Sequence, residues 1–194
     1  DALVQFPDFP RADYRAEQFF YPKIYKQYTL TLHSKTARGH AGLLATAFSA
    51  LVAEMQFDWL VFLGDGTTAW LYQQNDYPAA VKARQYLVEN KTGARFNGAF
   101  KVSVEQLPEF ARHLFWLTRC NASLPWIHFS DGQQQVLGSI CQYGNLHFNT
   151  RSEAADTLFK RALAKSSFIP LGEGAQCGES FSKKGAIKGR QTTR

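Results

Sequence analysis

The chain has 194 residues, of which 45% are hydrophobic and 14% aromatic, and its net charge is +6. This apolar content is enough for the core of one domain, and it excludes a chain that is disordered throughout. The longest apolar stretch, residues 43–52, is interrupted by Thr46 and Ser49 and is far shorter than the roughly 20 residues of a membrane-spanning helix. We therefore predict no membrane segment.

Residues 1–27 are rich in Phe, Tyr and Pro and show neither a period of 2 nor a period of 3.6. Because proline disfavours regular helix, we predict an extended N-terminal arm. Its aromatic side chains are expected to pack on the domain's own core. The alternative is that they bind a groove on a protein partner.

A strand followed by a helix is predicted after the arm. From Tyr28 to His33 apolar and polar residues alternate with period 2, the pattern of a half-buried strand. Ser34 is placed to cap the helix. Apolar residues then recur every three or four positions up to Met55, which gives the helix one apolar stripe that packs on a sheet.

The next predicted elements are a hairpin and a second helix. Residues 59–63 and 68–73 flank a Gly-Asp-Gly sequence, and an Asp-Gly pair favours a tight turn between two strands. The second helix is predicted to begin near Pro78 and to end by Gly93.

The second half of the chain repeats this order. Residues 126–132 match residues 59–66 in the order of their Trp, Phe and Asp-Gly residues, so we predict a duplicated βαββ unit. Gly144 separates two further strands. The elements predicted in this half are a strand at 99–102, a helix beginning at Ser103 or Pro108, strands at 136–143 and 145–149, and a last helix with a capping box of Thr150 and Glu153.

Together these elements predict an α+β fold, an antiparallel sheet with helices on one face. A single domain spans 28–169 as two similar units, 28–98 and 99–169, and the first half has the order of a ferredoxin-like split βαβ arrangement. Residues 170–194 contain five glycines and are predicted to form a Gly-rich basic tail.

The positive charge is concentrated in this tail. After Glu179 there are five cations and no acid, which leaves a net charge of only +1 for residues 1–179. Spaced cations of this kind can hold phosphates through contacts that weaken strongly with salt. The tail residues that we expect to bind phosphates are Lys183, Lys184, Lys188 and Arg190.

Two features of the domain itself are candidates for the same ligand. Lys35 and Arg38 stand at the start of the first helix, where free backbone N–H groups and the helix dipole favour anions. In the predicted strand 68–73, Trp70 and Tyr72 would face away from the helices, where aromatic side chains can stack on bases. The alternative is that the second unit packs on this face and buries them.

Four histidines are candidates for a general base, because an imidazole exchanges protons near neutral pH. They are His33, His40, His128 and His147. Alternation along two strands places His128, Ser130, Asn145, His147 and Asn149 on one sheet face. The alternative is that these histidines are hydrogen-bonded and structural.

Three cysteines, Cys120, Cys141 and Cys177, are an odd number without a CxxC pair. This pattern predicts buried free thiols and no zinc site, disulfide framework or other cofactor. Since no leader sequence follows Asp1, a cytoplasmic protein is expected.

The sequence thus predicts a nucleic-acid-binding protein without catalytic activity, with RNA or single-stranded DNA as the ligand. One alternative is a protein–protein interaction module, an adaptor or an inhibitor of a partner. Another is a metal-independent nuclease with a histidine base.

Overall fold

The computed structural model describes residues 2–6, 22–64, 68–72, 75–120, 127–172, 175 and 177–178. These residues form an α+β fold with one eight-stranded antiparallel sheet and four helices. The elements in chain order are β1 (Val4–Phe6), β2 (Lys26–Thr31), α1 (Ala37–Glu54), β3 (Trp59–Leu63), α2 (Pro78–Glu89), β4 (Ala99–Ser103), α3 (Leu107–Cys120), β5 (His128–Asp131), β6 (Val136–Ile140), β7 (Leu146–Thr150), α4 (Glu153–Ala164) and β8 (Ile169–Pro170).

The helices cover one face of the sheet. The strands lie in the order β1-β4-β3-β5-β6-β7-β2-β8, and alternate strand residues are buried. Rings on the buried side contact three helices, with centroids 4.5–4.9 Å apart, in the pairs Phe62–Phe110, Phe129–Phe48 and Phe148–Phe159. Helix α2 packs on α3. We call the opposite side, which carries Val61, Ser130, Ser139 and His147, the open face.

The sheet topology differs from the predicted hairpin and from the predicted ferredoxin-like first half. Strand β3 pairs with β4 and β5, and residues 68–72 are not a strand. Strand β2 pairs with β7 and β8, so three strands separate it from β3. Strands from the two predicted units are therefore interleaved in one continuous layer.

Both predicted helix caps that the structure describes are two residues out of place. Helix α1 is capped by Thr36, whose hydroxyl accepts from the Gly39 N–H at 3.0 Å, and not by Ser34. Helix α4 is capped by Ser152, because Thr150 belongs to strand β7. Helix α3 begins at Leu107, next to the predicted Pro108.

Parts of the predicted arm and tail belong to the sheet. Strand β1 pairs with β4 at one edge. At the other edge β8 pairs with β2, and the Leu171 N–H donates to the Thr29 carbonyl at 2.8 Å. Residues 7–21 of the arm and 179–194 of the tail lie outside the described residues. Among the described helices, none has the length and apolar content required to cross a bilayer.

Candidate nucleic-acid interface and metal-ligating cluster

The β6–β7 turn, residues 141–145, is the point where several elements of the fold meet. Gly144 has a φ of +79°, a left-handed conformation that favours glycine. A Cβ on Gly144 would lie 2.5 Å from His40 Nε2 and 2.7 Å from the Phe115 ring. Both the left-handed backbone conformation and the lack of space exclude a side chain at position 144. Because residue 144 is glycine, α1 and α3 can pack against the turn.

His40 is buried and holds α1 to this turn. Its Nε2 donates to the Gly144 carbonyl at 2.9 Å, which leaves Nδ1 as an acceptor 3.2 Å from Ser34 Oγ. Burial lowers the pKa of His40 below 6.5; the hydrogen bond to Gly144 opposes this change, and the nearby Arg119 charge adds to it. The ring is therefore neutral and enclosed, with both nitrogens in hydrogen bonds, which favours the structural alternative over a general base.

Cationic residues lie on the two helices that contact the turn. Lys35 and Arg38, at the start of α1, are exposed. Arg119, in the last turn of α3, donates from Nη1 to the Gln142 carbonyl at 3.1 Å. Arg119 was not among the predicted anion-binding residues, although a cation in the last turn of a helix is a recognisable signal.

The chain also passes this turn just before the basic tail. Asn145 Nδ2 donates to the Gly178 carbonyl at 3.2 Å, so residues 177–178 lie against the turn. Lys183 follows five residues later, and five residues of fully extended chain span at most about 18 Å. The four predicted phosphate-binding residues of the tail, 183–190, lie outside the described residues.

A row of polar side chains crosses the open face beside the turn. In the strand register His128 lies opposite Ser139, Ser139 opposite His147, and His147 opposite Thr29. The predicted common face of His128 and His147 is therefore confirmed. However, β6 lies between their strands, which puts their backbones about 10 Å apart.

The neighbouring residues of the predicted polar cluster have structural partners. Ser130 Oγ donates to the Val136 carbonyl at 2.8 Å, and Asn149 lies on the open face opposite Leu137. Among the described strand residues the one carboxylate is Asp131, which is buried and accepts from the N–H groups of Gln133 and Val136. Asp131 is thus a turn residue, and the described strands place no carboxylate on the open face beside either histidine.

Trp70 does not lie on the open face, and its predicted role in base stacking is wrong. Its side chain is 0% exposed and packs edge-on against Phe100, with ring centroids 4.7 Å apart. Its Nε1 donates to the Gly98 carbonyl at 2.8 Å. Tyr72, in the same turn, is 40% exposed.

Two aromatic residues of the described strands lie on the open face: Phe6, 44% exposed in the edge strand β1, and Trp59 in β3. Lys101 Nζ lies 4.3 Å from the centroid of the Trp59 ring, a cation–π contact. A Cβ on Gly132 would lie 2.5 Å from two atoms of the same ring, so the ring also rests against the β5–β6 turn. With these contacts Trp59 is a poor platform for a base.

Two cysteines and a histidine converge at the edge of the open face. The ligand atoms of Cys141, His147 and Cys177 all lie within 4.8 Å of one another, and Cys177 Sγ is 3.3 Å from His147 Nε2. Burial lowers the pKa of His147, which favours the neutral imidazole. Burial raises the pKa of Cys141 to about 11, although the N–H groups of Tyr143 and Asn145 donate to its sulfur and oppose this change.

Comparison of the chain with protein-family models, with curated proteins and with solved structures gave no significant match.

Proposed function

We propose that the protein binds nucleic acid through its backbone phosphates, without catalysing a reaction on it. The ligand lies along the cationic end of the molecule, which we define as the β6–β7 turn, Lys35, Arg38, Arg119 and the tail from residue 179. The open face next to this end contributes hydrogen-bonding side chains.

The observation that carries the proposal is the position of Gly178 against the β6–β7 turn. The chain continues from that point into a segment with five cations and no acid after Glu179. The start of α1 and the end of α3 add three more cations around the same turn. A local excess of positive charge attracts a polyanion, although the net charge of residues 1–179 is small.

The proposed contacts are to phosphates and not to bases. Trp70 is buried and Lys101 lies over the ring of Trp59, so neither indole offers a free platform for a base; of the two predicted stacking residues, Tyr72 is the one with an exposed side chain, at 40%. Phosphate contacts fix a ligand without reading its sequence. We therefore expect weak discrimination between sequences and a strong dependence on salt.

A nuclease has less support, because His40 is enclosed and the described strands place no carboxylate beside His128 or His147 on the open face. A protein-interaction module stays the alternative, with most aromatic residues of the arm between positions 7 and 21, outside the described residues.

The test is the salt dependence of binding to a fluorescent single-stranded oligonucleotide. Each phosphate neutralised contributes about 0.7 to the slope of log K against log salt, so the eight cations of the cationic end give a slope of about −6. A tail variant carries the substitutions Lys183→Gln, Lys184→Gln, Lys188→Gln and Arg190→Gln. Its slope should be less steep than that of the wild type by about 3.

A matched control removes four exposed cations from the helix side of the molecule, away from the cationic end. It carries the substitutions Lys82→Gln, Lys91→Gln, Arg112→Gln and Arg161→Gln. This control should keep the wild-type slope. Equal slopes for the two variants, or no binding at low salt, would contradict the proposal, and cleavage of the oligonucleotide would favour a nuclease.

A further inference from the structure

We propose that Cys141, His147 and Cys177 bind one zinc ion at the edge of the open face. Two thiolates and an imidazole are ligands that zinc prefers, and a set of three protein ligands leaves a fourth position for water. This site shares the β6–β7 turn with the phosphate contacts proposed above, but metal binding does not depend on them.

The separations between the three side chains suit a tetrahedral ion. Zinc–sulfur bonds of about 2.3 Å and zinc–nitrogen bonds of about 2.0–2.1 Å place sulfur and nitrogen ligands about 3.6 Å apart, and two sulfurs about 3.8 Å apart. Cys177 Sγ and His147 Nε2 are 3.3 Å apart, and all three ligand atoms lie within 4.8 Å. Shifts of a few tenths of an ångström up to about 1 Å therefore complete the geometry.

The backbone supports two of the ligands. His147 lies within strand β7, and its neighbours Leu146 and Phe148 are buried, which fixes the side of the sheet on which the imidazole stands. Cys141 follows β6, and the N–H groups of Tyr143 and Asn145 donate to its sulfur. Such hydrogen bonds orient a ligand before the metal arrives.

A second, independent observation is the side chain of Asn145. It is 0% exposed, and its Oδ1 has no hydrogen-bond partner among the described residues, although its Nδ2 donates to Gly178. Asn145 is thus held beside Cys177, and it lies in the β6–β7 turn two residues before His147. An acceptor buried without a partner is costly in a folded protein. A water molecule on the zinc ion supplies the missing donor to Asn145 Oδ1.

The consequence for the fold is a fixed exit point for the tail. Cys177 is 30 residues from His147 in sequence, so a shared ion ties the end of the described chain to the β6–β7 turn.

Cobalt(II) substitution provides the main test. Reduced, metal-free full-length protein is titrated with Co²⁺, which should bind at one ion per chain and give thiolate charge-transfer bands and the ligand-field bands of a tetrahedral site. Added Zn²⁺ should remove both sets of bands. Cys141→Ser, Cys177→Ser and His147→Gln should each weaken binding by more than about 100-fold, the upper loss typical of changes outside the ligand set.

Matched controls are Cys120→Ser, the third cysteine of the chain, and His128→Gln, the other histidine in the same row of the open face. Both should bind Co²⁺ as the wild type does. Tetrahedral thiolate bands that persist in Cys177→Ser, or that disappear in Cys120→Ser, would overturn the proposal.

Alkylation of the cysteines tests the site in the wild-type protein, so its result does not depend on whether a variant folds. Zn²⁺ should slow alkylation of Cys141 and Cys177 by iodoacetamide in the wild-type protein and leave Cys120 unchanged, as peptide mass spectrometry would show. Equal alkylation of all three cysteines with and without zinc would refute the site. A Cys141–Cys177 disulfide in the isolated protein, with no metal uptake after reduction, would refute it as well.

Discussion

Replacement of His40 by alanine tests whether this histidine is a structural link or a chemical group. Without it, the buried Gly144 carbonyl loses the donor at 2.9 Å, which costs about 1–3 kcal/mol. The ring also lies 5.6 Å from that of Phe115, and the cavity left there adds about 1–2 kcal/mol. The total of about 3 kcal/mol corresponds to a fall in Tm of roughly 6–12 °C for a domain of this size.

Thermal unfolding followed by circular dichroism measures this fall directly. The matched control is His33→Ala, because His33 is exposed and lies only seven residues away. Exposed substitutions away from special features stay within about 0.5 kcal/mol, so the control should unfold with the wild type.

The pH profile gives a second readout of the same residue. Since burial lowers the pKa of His40 below 6.5, the unfolded chain binds more protons than the folded one just below pH 6.5. The contribution of neutral His40 to the free energy of unfolding is fully present above pH 6.5, and it is lost as the pH falls toward the pKa of the folded state. Stability should therefore fall less steeply below pH 6.5 in His40→Ala than in the wild type. A variant Tm within about 2 °C of the wild type, or parallel pH profiles, would refute the structural role.

Three further substitutions test the core, each by urea unfolding. Asp156→Ala should cost about 2–3 kcal/mol, because its buried carboxylate accepts from two hydroxyls and Lys160, and an unchanged midpoint would contradict this. Trp70→Ala should cost about 3–5 kcal/mol and leave oligonucleotide affinity of the folded protein unchanged; the opposite pattern would restore a stacking role. Gly138→Ala should cost about 1–3 kcal/mol, since its Cβ would lie 2.4 Å from the His147 carbonyl oxygen. An unchanged urea midpoint would show that the strands can move apart to accommodate the methyl group.

The helices were largely predictable because their signals are local. The apolar stripe that ends at Met55 and the proline at position 78 gave α1 and α2 within a few residues. The caps failed for a tertiary reason. Thr150 has the side chain of a cap, but its backbone pairs with Lys26 and Val136 in the sheet, so the helix begins after Ser152.

Strand pairing was not predictable from local pattern. Residues 68–73 alternate like a strand, yet the edge of β3 that they were expected to occupy is taken by β5, more than 60 residues away in sequence. Trp70 consequently turns into the core, where the Gly98 carbonyl satisfies its N–H. Contacts over such separations depend on the whole fold and leave no mark in a short window of sequence.

In the candidate sites too, the features set by local sequence were predictable and those set by long-range contacts were not. Period-2 alternation placed His128 and His147 on one face correctly, because side-chain direction in a strand is a local property. The convergence of Cys177 with Cys141 and His147 was not predictable, since no CxxC spacing links the three residues. The approach of residues 177–178 to the β6–β7 turn creates both that cluster and the cationic end.

Mapping of amide chemical shifts during titration with a single-stranded oligonucleotide tests the proposed interface most directly. The largest changes should occur at Arg38, Gln142 and Gly178, with smaller changes along the open face at Ser139. The amides of Lys82 and Gln85, on α2, should not move. Changes centred on α2, or no changes at low salt, would contradict binding at the cationic end.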